Sequence, residues 1–183
     1  SARIFDVRTP GFVWDGRNWQ APKTFDVFAR DAGQVFGIAL DDEASPNIYL
    51  TATSAYGLQI VAPGADGTAQ RVTRGQPRAE WMKGQFGPAQ GGPGSIWKVD
   101  GRTGQVTLFA NVTLNGASNA APGLGNISYD RAHRQLFVSD LASGMIHRFD
   151  LAGREQQTYD HGTAARPARS LPPVAFDPSR RVE

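Results

Sequence analysis

The sequence contains no cysteine. Disulfide bonds, thiol nucleophiles and cysteine-held zinc are therefore excluded within it. No apolar run approaches the roughly 18 residues that a membrane-crossing helix requires, so no membrane span is expected. Helical periodicity is nearly missing too, and the one short stretch that carries it is Arg78-Ala79-Glu80-Trp81-Met82-Lys83. Charge of one sign is scarce. The formal net charge of +2 resides from His161 onward, where Arg166, Arg169, Arg180 and Arg181 outnumber Asp177 and Glu183. Nucleic-acid binding needs a clustered stripe of Lys and Arg, and without one nucleic acid is not an expected partner. Familiar catalytic signatures are missing as well. There is no Gly-x-Ser-x-Gly elbow for a hydrolase triad. Gly91-Gly92-Pro93-Gly94-Ser95 lacks the lysine of a phosphate loop, and a strand pattern follows it instead of a helix.

Glycine (21) and proline (12) are abundant, as expected where many short strands meet tight turns. The strands come in a repeat. Gly37-Ile38-Ala39-Leu40-Asp41-Asp42 with Ile48-Tyr49-Leu50-Thr51 recurs as Gly125-Asn126-Ile127-Ser128-Tyr129-Asp130 with Leu136-Phe137-Val138-Ser139. Gly94-Ser95-Ile96-Trp97-Lys98-Val99-Asp100 recurs as Gly144-Met145-Ile146-His147-Arg148-Phe149-Asp150. Each repeat reads as four short antiparallel strands, the unit of a β-propeller blade. The fold class expected is all-β: a partial propeller ring of four-stranded antiparallel blades with almost no helix. One blade takes strands at 35–41, 47–53, 94–100 and 105–112, and the next at 125–130, 135–140, 144–150 and 154–160. Residues 24–30 alternate like 105–110 and read as an outer strand, so the first blade region runs from about 24 to 112. Residues 171–183 read as the start of a third blade. The whole chain, 1–183, is thus one partial propeller.

The repeats differ in spacing. Gly94 and Gly144 lie 50 residues apart, whereas Gly37 and Gly125 lie 88 apart, and the difference of 38 is an insertion at about 55–93. Loops beyond about 12–15 residues are uncommon and tend to be functional or unstructured. In an antiparallel blade the insertion, the connection 111–124 and the connection 161–173 all fall at one end. That loop-rich face is where a ligand is expected. The insertion reads either as a variable surface loop or as a lid or partner-binding arm.

Candidate residues follow from positions where one repeat is polar and the other is not. In an ungapped alignment Asn126 stands opposite Ile38 and Asp140 opposite Ala52. A carboxylate beside an amide oxygen suits a hard divalent cation such as calcium, although about six to eight oxygens are needed. The alternative is that Asp140 caps its own turn and Asn126 satisfies a strand-edge group. His147 aligns with Trp97 at a packing position, and His133 falls in a turn. His161 lies on the loop-rich face. Trp14, Trp19, Trp81 and Phe86 lie in predicted loops, and with Arg78 and Lys83 they read either as a recognition patch or as anchors of the loop onto the missing half of the ring. Arg78, Trp81 and His161 are the candidate ligand-binding residues.

Gly123-Leu124-Gly125-Asn126-Ile127-Ser128-Tyr129-Asp130, Gln135-Leu136-Phe137-Val138-Ser139-Asp140 and Gly144-Met145-Ile146-His147-Arg148-Phe149-Asp150 together resemble a blade of the NHL-repeat and gluconolactonase-like propellers. The likeness covers about residues 24–160. It implies a ring of about six blades and a periplasmic or secreted setting. It also implies that the remaining blades come from the same precursor or from another chain, a further copy included, so that the chain reads as a fragment of something longer. Enzymes of that family hold a divalent metal with a Glu, an Asn and an Asp, their Asn preceding a Gly. Here Asn126 precedes Ile127 and follows Gly125. The expected function is therefore a non-catalytic extracytoplasmic module that binds a ligand or protein. The alternative is a metal-dependent lactonase or hydrolase.

Overall fold

The computed structural model describes residues 2–6, 8, 22–56, 61–73, 76–77, 85–114, 116–119 and 122–160. The strands are β1 (Ala2–Phe5), β2 (Lys23–Val27), β3 (Val35–Leu40), β4 (Ile48–Ala52), β5 (Val61–Pro63), β6 (Ala69–Arg71), β7 (Ser95–Val99), β8 (Val106–Asn111), β9 (Thr113–Leu114), β10 (Ala117–Ser118), β11 (Leu124–Asp130), β12 (Gln135–Asp140), β13 (Met145–Asp150) and β14 (Glu155–Asp160). A single turn of helix, α1 (Ala29–Ala32), lies between β2 and β3. The Asp31 carboxylate accepts the Phe28 N–H at its start, and Gly33 ends it at φ 67°. The helix-like stretch at 78–83 and the expected start of a third blade at 171–183 lie outside the described residues.

Two four-stranded antiparallel sheets dominate, in the orders β3-β4-β7-β8 and β11-β12-β13-β14. The fold is all-β, and its two antiparallel four-stranded sheets are consistent with a partial propeller-like arrangement. Three two-stranded pairs accompany them: β1-β2, β5-β6 and β9-β10. The pair β5-β6 lies inside the insertion.

The alternation along the strands explains the packing. Leu124, Ile127, Leu136, Val138 and Phe149 of the second sheet meet Ala39, Tyr49 and Ile96 of the first, with Val112 beside them, in one buried cluster. The Tyr49 ring meets Phe109 edge-on at a centroid distance of 5.0 Å. Full burial of a side chain such as Leu136 or Val138 contributes roughly 1.5–3 kcal/mol. The opposite face of the first sheet buries Leu50, Trp97 and Val99 against Val27 and Ala32, with Ala2 and Phe25 at its margin.

The inner strands β3 and β11 approach closely. The Thr51 hydroxyl accepts the Gly37 N–H at 2.8 Å and donates to the Gly125 carbonyl at 2.6 Å. One side chain thus fills a gap in the β3 ladder and ties the two sheets together. At the other end of the strands, Tyr129 donates to Asp42 at 2.6 Å, and Arg131 and Arg134 also pair with Asp42. These groups are exposed, so Asp42→Ala is expected to lower the melting temperature only slightly, and the loss shrinks as salt is raised. A melting series at low and high ionic strength checks this.

Register corrects one sequence alignment. Ile38 pairs with Leu50, and Ile127 pairs with Val138. Leu50 and Val138 are 88 residues apart, but Ile38 and Ile127 are 89 apart. The turn 41–47 is one residue longer than its counterpart, because Leu40 pairs with Ile48 while Tyr129 pairs with Leu136. Asn126 is therefore the counterpart of Gly37, not of Ile38. A slip of one residue exchanges the two faces of a strand.

Candidate functional site

At the loop-rich end, a buried polar network surrounds Asp140, the last residue of β12. Asp140 is 3% exposed and His147 is 0% exposed. Carboxylate oxygen Oδ1 accepts Asn119 Nδ2–H at 2.7 Å and the Ala142 N–H at 2.9 Å. Oxygen Oδ2 accepts the Ser143 hydroxyl and faces His147 Nε2 at 3.7 Å. The other imidazole nitrogen, Nδ1, lies 2.9 Å from Glu155 Oε1. Burial alone would raise the Asp140 carboxyl. The imidazole and the donors from Ser143, Asn119 and Ala142 outweigh it and bring the pKa down to about 2. For His147, burial disfavours the charged ring, but Asp140 and Glu155 on its two sides raise its pKa above the ordinary histidine value.

This geometry does not suit a divalent cation. N–H and O–H donors occupy the Asp140 oxygens that a cation would need. Asn126 is exposed, and its Oδ1 accepts the Ile127 N–H at 3.0 Å. The two residues serve separate backbone segments, one as a turn cap and one at a strand bulge. Arg78, Trp81 and His161 lie outside the described residues. Phe86 is buried, and the Gln85 carbonyl accepts the Gln34 N–H at 2.7 Å, so this part of the insertion is fastened to the first sheet.

Beside the network is a cleft of about 210 Å³ whose walls include Gln90, Gly92, Pro93, Asn111 and Asn119. Its floor is braced by Ser95 Oγ, which accepts the Gly92 N–H and donates to Asn111 Oδ1, both at 2.7 Å. Asn119 holds Asp140 with its amide nitrogen, while its buried Oδ1 has no hydrogen-bond partner among the described residues. The cleft therefore offers neutral amides and backbone groups.

A larger cleft of about 340 Å³ opens at the opposite end, between the short turns, lined by Asp41, Tyr49, Lys98, Asp100, Arg102 and Arg134 among others. Asp41 accepts the backbone N–H and side-chain amide of Asn47, at 2.8 and 2.6 Å, and the Tyr49 hydroxyl at 3.2 Å. Burial, reinforced by Asp41, pushes the Tyr49 phenol up. Loop length pointed away from this end, since these turns are short. The signal that would have found it is the recurrence of acidic residues where the strands end: Asp41, Asp42 and Asp100, then Asp130 and Asp150.

Compared with known proteins, the chain matches no family model and no curated protein.

Proposed function

We propose that the chain is part of a propeller of the NHL-repeat and gluconolactonase-like kind, working outside the cytoplasm as a binding module without catalysis. The observation that carries this reading is the saturation of Asp140. The carboxylate that the repeat singles out is consumed in holding Asn119, the turn at 141–144 and His147. It stiffens the wall of a neutral cleft, which suits recognition of an uncharged hydrogen-bonding ligand or a peptide segment.

Metal titration with activity assay tests this. Calcium or zinc is expected to leave the melting temperature unchanged, and sugar lactones are expected not to be hydrolysed. Metal-dependent stabilisation and lactone hydrolysis, both lost in Asp140→Ala, would establish the lactonase reading instead.

A further inference from the structure

The cleft of about 340 Å³ at the short-turn end takes its walls from both sheets. Strand alternation places its first cation. Along β7, Trp97 and Val99 pack on one face of the sheet, while Ile96 joins the cluster between the sheets. Lys98 shares the Ile96 face. It stands directly across the ladder from Tyr49, another member of that cluster. Where this face leaves the core, half-buried Lys98 meets the cleft together with exposed Arg102 of the following turn.

The carboxylates of the cleft are already engaged by the chain. Asp41 Oδ1 accepts the N–H groups of Glu43 and Asn47, and Oδ2 accepts the Asn47 side-chain amide and the Tyr49 hydroxyl. A carboxylate has about four lone-pair sites, so Asp41 is full. Asp100 Oδ1 accepts the Arg102 and Thr103 N–H groups and the Thr103 hydroxyl. Glu43 accepts Arg134 at 2.6 Å, and this pair ties the turns of the two sheets together. The wall is therefore held in place by its acceptors. Lys98 and Arg102 are donors only, and among the described residues neither side chain forms a hydrogen bond or ion pair.

We infer that this cleft binds a small ligand through a single carboxylate, which Lys98 and Arg102 receive. The Arg102 fork matches the two oxygens of a carboxylate, and Lys98 adds a point charge beside it. Charge balance selects the class. Asp41, Glu43 and Asp100 offset Lys98, Arg102 and Arg134. One added negative charge is met by the two cations, whereas a dianion or polyanion also faces three fixed carboxylates. The volume lies at the small end of the range for ligand sites, so it accommodates a carboxylate with a few atoms attached. A free organic acid supplies such a group, and so does the C-terminal end of a peptide. None of these residues belongs to the Asp140 network at the other end of the strands, so the site stands apart from the binding reading above.

The test titrates the full chain with glycolate, N-acetylglycine, N-acetylglycinamide and inorganic phosphate while amide NMR signals are followed. Glycolate and N-acetylglycine are expected to move the signals of 98–103 saturably, with affinity in the millimolar range for so few atoms. Binding is expected to weaken as salt is raised. N-acetylglycinamide, which lacks the charge, is expected to leave those signals in place. Lys98→Met keeps the apolar stem, and Arg102→Gln alters an exposed turn residue. Each is expected to weaken binding at least about fivefold through the loss of a charged donor, with signals away from the cleft at their wild-type positions. Binding of glycolate alone assigns the site to free organic acids, binding of N-acetylglycine alone assigns it to chain ends, and either supports a carboxylate site. Equal binding of the neutral amide, tighter binding of phosphate, shifts that do not saturate or lie elsewhere, or wild-type affinity in both variants overturns the proposal. None of these outcomes bears on the metal and lactone assays, so the two readings fail separately.

Discussion

Asp140→Ala is expected to destabilise the fold by roughly 3–5 kcal/mol, the range for removing one partner of a buried charged pair. The variant leaves the Asn119 amide, the Ser143 hydroxyl and the Ala142 N–H without their acceptor. It also leaves His147 charged in a fully buried place with Glu155 alone for compensation. Urea unfolding near pH 5.5 reads the loss. The double variant Asp140→Leu with His147→Phe removes both charges and is expected to recover much of it. If Asp140→Ala unfolds at the wild-type urea midpoint, the network is not structural and the account of the site fails.

The same pair sets a pH profile. The folded Asp140 carboxyl is lowered from 3.8 to about 2. A depressed carboxylate contributes stability above its unfolded pKa and loses it as pH falls through the folded one. That contribution, of about 2 kcal/mol, is thus lost between about pH 4 and pH 2. His147 is raised above 6.5. Its contribution is complete below that value and disappears as pH rises through the folded pKa. The melting temperature should therefore hold a plateau between these two windows and fall on both sides. His147→Phe should remove the fall on the alkaline side, which a melting series across pH reads directly.

The sequence was most informative where side chains alternate without interruption. The strands of both sheets, the insertion between β4 and β7, and the likeness of His147 to Trp97 all follow from period and spacing, and both residues are fully buried. The alternative role foreseen for Asp140, a turn cap, is the one its hydrogen bonds show. Asn126 was misread because an ungapped alignment cannot see that the turn at 41–47 is one residue longer than its partner. The strand β1 escaped notice because Ala2–Phe5 is too short to establish a period, and becomes a strand through its pairing with β2. The helix α1 depends on the local bond from Phe28 N–H to Asp31, which is not a periodic signal. The larger cleft escaped because it is assembled from turns of both sheets, a convergence that spacing along the chain does not encode.

Gly37→Ala is expected to disturb the contact between the two sheets more than any other single methyl group placed on β3. A Cβ there would lie 2.7 Å from the Ile127 nitrogen and 2.9 Å from the Asn126 Cα, both main-chain atoms of β11. It would also lie 2.7 Å from Thr51 Oγ1, the hydroxyl that links Gly37 N–H to the Gly125 carbonyl. A flexible side chain could swing away from an added methyl. A strand held in a ladder cannot, so relief requires β11 to shift with the sheet it belongs to. Overpacking typically costs about 1–3 kcal/mol, and a main-chain collision with loss of the Thr51 bridge belongs at the upper end of that range. Gly92→Ala provides the comparison, because a Cβ at Gly92 meets nothing within 4 Å. Urea unfolding of both variants is the measurement, with hydrogen exchange at 124–130 reporting whether β11 has moved. A Gly37→Ala protein as stable as Gly92→Ala, with β11 protected as in the wild type, would mean that the inner strands do not approach as described.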